Sequence, residues 1–214
     1  MLKRSLGLLV VSMQPAGISE DEFNDWYDLE HIPQRLDTPG FVSAERFIRI
    51  DGWPKYVAVY DLEHKGVTTS PDYRATAGAN FSPWTKRVLS NAAGWGRLDL
   101  EQVSPGQTVG RSDWRGAAFI QLGATEPKEL IRLAQSLSGS GQLQVRAFRG
   151  TAMREPASLL MLEAPTWRLL PTWTPAELGE LLGPLTGDVG SVDYCTKYWR
   201  ADPLALLQSP KRSR

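Results

Sequence analysis

The feature that most constrains the fold is an order of elements that can be read twice along the chain. An apolar run over Leu6–Met13 has the character of a strand, and Ser19–Pro33 that of a helix. Two strand-like runs, Val42–Ile50 and Lys55–Leu62, flank a turn that starts at Asp51-Gly52, with Pro54 just beyond. A polar segment, Ser70–Leu89, carries a helix interrupted near Ser82-Pro83, and Trp95–Val103 closes the series as a fourth strand. After a turn-rich linker ending near Asp113 the order returns. Trp114–Leu122, Leu143–Arg149, Ser158–Leu162 and Asp188–Trp199 read as strands, and Glu126–Leu137 and Thr174–Leu182 as helices. The expectation is an α+β chain of two ferredoxin-like βαββαβ halves, residues 1–104 and 113–202, with a tail over 203–214. An open antiparallel sheet of this type has helices on one face and a bare apolar face on the other. Two such faces in one chain can bury each other.

Composition limits the functional classes. The 214 residues are 42% hydrophobic and 22% charged, ordinary for a soluble globular protein. The formal net charge is zero, so nothing favours nucleic acid or an anionic membrane as a partner. The single cysteine, Cys195, excludes an internal disulfide and fits a cytoplasmic setting. It stands in a strand-like run and is read as a buried structural thiol. No Cys/His spacing suits a structural metal. Lys3-Arg4 followed by an apolar run and Pro15-Ala16-Gly17 has the outline of a signal peptide, but the run is short and is read as a buried strand feeding the helix. No segment approaches the roughly 20 apolar residues of a membrane span.

Asp21–Phe41, DEFNDWYDLEHIPQRLDTPGF, is the densest cluster of ionisable and aromatic residues. Ser19 with Glu22 three residues on predicts a capping box, and Glu20, Asp21 and Glu22 suit the positive end of the helix dipole. Pro33 should end the helix, and Thr38-Pro39-Gly40 should turn the chain. At roughly 100° per residue, Phe23, Trp26, Tyr27, Glu30 and His31 share one face, with Leu29, Ile32 and Leu36 on the other. Packing the aromatic face on a sheet would carry Glu30 and His31 into or beside the core. There they form either a polar site in an apolar pocket or a satisfied hydrogen-bonded cluster. Of the two histidines, His31 is the candidate, and His64 is expected in an exposed turn.

NDWYDLEHIP over residues 24–33, then Pro39-Gly40-Phe41, Ala44-Glu45-Arg46 and Lys55-Tyr56 through Tyr60, resembles the EthD-like branch of the dimeric α+β barrel superfamily, over about residues 6–103. The resemblance implies a barrel of two four-stranded antiparallel sheets with helices outside. It also implies a site between sheet and helices in one half. The superfamily includes muconolactone isomerases, cofactor-free quinone-forming monooxygenases, polyketide cyclases and dehydratases, and haem-binding chlorite dismutases and dye-decolourising peroxidases, so the fold leaves the reaction open.

The first reading is a cofactor-independent lyase, isomerase or dehydratase acting on a small aromatic or polyketide-like compound. His31 is its general acid or base, Glu30 orients it, Tyr27 donates to a substrate oxygen and Arg46 stabilises a developing enolate. Trp26, Tyr56, Tyr60 and Trp84 would line the pocket. The alternatives are an oxidoreductase, cofactor-free or with haem on His31, and a non-catalytic ligand-binding barrel. A single chain carrying both halves can complete the barrel alone and still associate as a homodimer.

Overall fold

The computed structural model describes residues 5–138, 142–150, 158–183 and 189–199. The tail expected over 203–214 and the Lys3-Arg4 pair lie outside the described residues.

The first half is β1 (Gly7–Pro15), α1 (Glu20–Trp26), α2 (Ile32–Leu36), β2 (Phe41–Arg49), β3 (Tyr56–Leu62), α3 (Pro71–Ala75), α4 (Pro83–Ser90) and β4 (Ala92–Ser104). The second is β5 (Gly116–Leu122), α5 (Pro127–Leu137), β6 (Gln144–Gly150), β7 (Ser158–Ala164), α6 (Pro175–Leu182) and β8 (Val189–Lys197). The eight strands close into one barrel in the order β1-β3-β2-β8-β5-β7-β6-β4. Every neighbouring pair is antiparallel. Each half is therefore a four-stranded ferredoxin-like sheet, and two seams join them. At one, Phe47–Arg49 of β2 pair with Cys195–Lys197 of β8; at the other, β4 pairs with β6.

Period-2 alternation sorts the strand residues into a lumen and two helix-covered faces. Val10, Phe47, Val57, Val59, Phe119, Phe148, Met161 and Cys195 pack together inside the barrel. Leu9, Met13, Tyr56, Ala58 and Tyr60 face α1 and its aromatic residues instead. A separate cluster under α5 and α6 fills the second half. Along β2 the faces alternate: Ala44 and Ile48 pack on the helix side while Phe47 points into the lumen. Cys195 is fully buried and its thiol is pushed up by burial, in keeping with an inert structural role.

One end of the lumen is closed by charge. Arg146 is fully buried and donates to Asp61 at 2.6 Å and to Glu163 at 2.9 Å. The same carboxylates accept the backbone N–H groups of Gly110 and Arg111, so the linker between halves plugs this end. Asp61 comes from the first half, and Arg146 and Glu163 come from the second. Breaking such a buried ion pair by removing one partner costs about 3–5 kcal/mol, so this cluster fixes how the halves meet.

Candidate functional site

The helix of the motif does not stop at Pro33. Ser19 caps α1 by accepting Glu22 N–H at 3.1 Å, but the reciprocal half of the capping box is absent because the Glu22 carboxylate pairs with Arg87. From Tyr27 to His31 the chain widens into a π turn, in which Ile32 N–H reaches back to Tyr27 O, and then continues as α2 to Leu36. A proline ring normally clashes with the carbonyl four residues earlier. The five-residue spacing makes room for it, and Pro33 sits in the first turn of α2. The extra residue also turns Asp28 and everything after it away from the positions set by a regular 100° step.

That displacement decides where the expected residues lie. Glu30 is half-buried and turned toward α4, where it accepts Ser82 Oγ at 2.6 Å and Thr85 Oγ1 at 2.8 Å. Thr85 Oγ1 in turn accepts Trp26 Nε1–H at 2.9 Å. Glu30 thus fastens α4 to the motif helix and does not hydrogen-bond His31. The His31 imidazole stacks on Trp26 with ring centroids 4.4 Å apart and meets Tyr27 edge-on at 5.5 Å. Its Nδ1 is buried without a hydrogen-bond partner. Burial first, then the charges of Arg35 and Arg46, push its pKa down to about 3. The near-neutral value expected for an acid–base histidine is therefore displaced: His31 is a neutral imidazole across the physiological range.

Tyr27 and Tyr60 are fully buried, and burial pushes both phenols up. Tyr56 donates to Glu20 and accepts Asn24 Nδ2–H at 3.3 Å. Trp26 is core, and Trp84 is partly buried against the same cluster. His64 caps the 3-10 turn Lys65–Thr69, its Nδ1 accepting Gly66 N–H at 3.1 Å.

The structure assembles a polar centre around Arg46. Its side chain is 5% exposed. It donates through Nη1 to Asp28 at 2.8 Å and through Nη2 to Asn24 at 2.6 Å. Its guanidinium lies 4.3 Å from the Tyr27 ring centroid and 4.0 Å from that of Tyr198. Beside it opens a cleft of about 300 Å³ lined by Asp28, Ile32, Ala44, Arg46, Tyr198 and Trp199. The motif helix, β2 and the end of β8 all contribute, so this cleft lies at a seam between halves, on the helix side of the sheet. A cation fixed by two acceptors between two rings, beside a wall carrying a tryptophan, suits a planar ligand with an anionic oxygen.

Sequence reasoning found Arg46 and Tyr27 but missed Asp28. It also missed Asn24, Tyr198 and Trp199. Asn24 and Asp28 are four apart and bracket Tyr27, a spacing that could have singled them out as partners for a cation. Nothing local connects Tyr198 to residue 46.

Known structures resemble the whole chain. An anthrone oxidase-like protein superposes with a TM-score of 0.60 at 10% identity, covering 92% of this chain and 93% of its own. A candidate monooxygenase from Lactobacillus acidophilus NCFM gives 0.56 at 10% identity over 91% and 93%. An arginine-to-alanine variant of chlorite dismutase from Candidatus Nitrospira defluvii gives 0.56 at 10% identity over 92% of both chains. The fold is that of the dimeric α+β barrels. No family model matches the sequence, and no curated protein does. At 10% identity these neighbours show the fold and leave the reaction open. Among the described residues, no helix is long and apolar enough to cross a membrane.

Proposed function

We propose that the chain is a cofactor-independent oxidoreductase that uses dioxygen to convert small phenolic, polyketide-like compounds to quinones at the Arg46 cleft. The observation that carries this reading is the caged guanidinium: a buried cation held by Asp28 and Asn24 beside a cleft of about 300 Å³. The resemblance of the motif to the EthD-like branch agrees with a small aromatic substrate. The reacting end is Arg46 with Asp28, and His31 stands behind them.

The substrate oxygen faces Arg46, which stabilises the enolate or phenolate as charge develops. Asp28, the carboxylate lining the cleft, takes the proton from the CH2 carbon conjugated with that oxygen across the ring. The electron-rich anion reduces dioxygen, and recombination forms a carbon–peroxide bond. Asp28 returns its proton to the peroxide, and loss of water leaves C=O, so CH2 and O2 become C=O and H2O. Tyr27 and Tyr198 hold the guanidinium in place. His31, neutral and stacked on Trp26, positions the helix that carries Asp28.

Haem is the group the wider superfamily would bring, and the histidines here fit it poorly. An axial imidazole passes its other N–H to a fixed acceptor, whereas Nδ1 of His31 is buried without one and a face of the ring is covered by Trp26. His64 Nδ1 is engaged with Gly66. No step runs through haem.

Anthrone, larger than the open cleft and so seated with its outer ring beyond it, is the test substrate, with dioxygen uptake and quinone absorbance followed together on protein purified without added cofactor. The expected result is one O2 consumed per quinone formed, with kcat/KM lowered about 100-fold or more in Arg46→Met. Saturable binding of anthrone with no oxygen uptake would replace this reading with a ligand-binding barrel. Turnover only after haem or flavin is added would refute its cofactor-free part.

A further inference from the structure

The barrel lumen holds a second cavity, at the end opposite the Arg146 cluster, with a volume of about 250 Å³. Its walls are apolar where Val10, Val57, Phe119 and Leu159 meet, and its polar side carries Arg49, Asp193 and Gln121. It lies on the opposite face of β2 from Arg46, so it shares no lining residue with the outer cleft. Gly96 lines it too, and a Cβ there would stand 2.4 Å from Ser12 Oγ, so the wall is drawn in as close as a glycine allows.

Arg49 is the anchor. Its side chain is 9% exposed and ion-paired with Asp193, with Nε 3.0 Å from Oδ1. It donates through Nη1 to Pro54 O and through Nη2 to Asp193 Oδ2 at 3.3 Å, with Nε held against Asp193 in the ion pair. A guanidinium has five N–H donors, so it keeps donor capacity in a confined space that is apolar on one side. A ligand oxygen in the cavity would take the Nη1 and Nη2 N–H groups that Pro54 and Asp193 leave. At roughly 30 Å³ per water-sized group, the cavity takes a molecule of about eight or nine heavy atoms, one ring with a small head group.

We propose that this cavity is a ligand site within the barrel lumen, separate from the Arg46 cleft, for a compact single-ring carboxylate whose head group meets Arg49 and whose ring packs on Phe119 and Leu159. A carboxylate can take two guanidinium N–H groups at once, which a neutral alcohol cannot. Gln121 supplies a further donor beside it.

Benzoate is the probe, with benzyl alcohol as its neutral counterpart, titrated into the full chain by calorimetry and by amide NMR. The expected result is saturable benzoate binding at least about tenfold tighter than benzyl alcohol. It should shift the Gln121 side-chain amide, be lost in the cavity-filling variants Val10→Phe and Val57→Phe, and be unchanged in Arg46→Met. The NMR readout on the unmodified chain stands even where a filling variant fails to fold. Absence of saturable binding at millimolar benzoate overturns the proposal. So does binding that leaves Gln121 unshifted, or binding that survives both folded filling variants and vanishes in Arg46→Met, which would place benzoate in the outer cleft.

Discussion

His31→Phe should change how stability depends on pH far more than stability at neutral pH. In the unfolded chain the imidazole titrates at its ordinary 6.5, whereas in the folded protein burial and two nearby arginines bring it to about 3. Above about pH 6.5 both states are neutral, and His31 contributes no pH dependence. As pH falls below that value the unfolded chain binds a proton that the folded chain refuses, so the wild type loses stability down to about pH 3, where the folded form also protonates. At about 1.4 kcal/mol per pH unit the loss is about 2 kcal/mol at pH 5 and approaches 5 kcal/mol at the limit. Against a domain stability of about 5–15 kcal/mol, that is large enough to measure. Phenylalanine keeps the stack on Trp26 and removes the unpartnered Nδ1. Urea unfolding followed by tryptophan fluorescence at about pH 7, 6 and 5 gives the difference between the two proteins, with all other titrating groups common to both. His31→Phe should gain on the wild type by about 2 kcal/mol between pH 7 and pH 5. A difference that does not vary with pH would mean that His31 is solvated in the folded state, and the argument for a neutral positioning residue would fall.

Arg146→Met should destabilise the protein by about 3–5 kcal/mol, read as a lower urea midpoint, because it strands the Asp61 and Glu163 carboxylates in the barrel. An unchanged midpoint would show that those carboxylates are already neutralised or hydrated. Thr85→Val removes one donor to Glu30 and the acceptor for Trp26 Nε1–H, and about 1–3 kcal/mol of stability should go with them. Gly40→Ala should lower the melting temperature, since Gly40 has φ +94° and a Cβ there would meet Val67 Cγ2 at 2.5 Å; a neutral result would mean that the turn relaxes freely. Native protein should leave Cys195 unreacted with a thiol reagent until urea unfolds it, as a fully buried thiol pushed up by its surroundings requires.

The element order was legible because period-2 and 3.6-residue patterns are local, and so were the cap at Ser19 and the turn at Gly40. The second strand shows how far that goes. Its alternation assigned Arg46 and Phe47 to opposite faces, which is the fact that separates the outer cleft from the lumen. The motif helix shows the limit. Its face assignment assumed a constant step, and one π turn moved Glu30 toward α4 and Asp28 toward Arg46. A proline after a run of large side chains is compatible with a stop, a kink or a widened turn, and only the packing of Trp26 and Tyr27 against the sheet selects among them.

Closure of the barrel was harder still to read, because it depends on contacts between residues far apart in the chain. Tyr198 N–H bonds to Arg46 O and its ring covers the Arg46 guanidinium, joining positions about 150 apart. The same seam puts Arg49 against Asp193, and the far end of the lumen puts Asp61 against Arg146. In each case a charge that looks unremarkable in its own strand becomes buried only when the other half arrives. A density of unusual residue types therefore marked the helix that the site is built on, while the charged groups best placed to meet a ligand lie where the two halves join. Variants that alter the seam should change ligand binding without touching the motif, and variants in the motif helix or its anchor on α4, such as His31→Phe or Thr85→Val, should act first on stability.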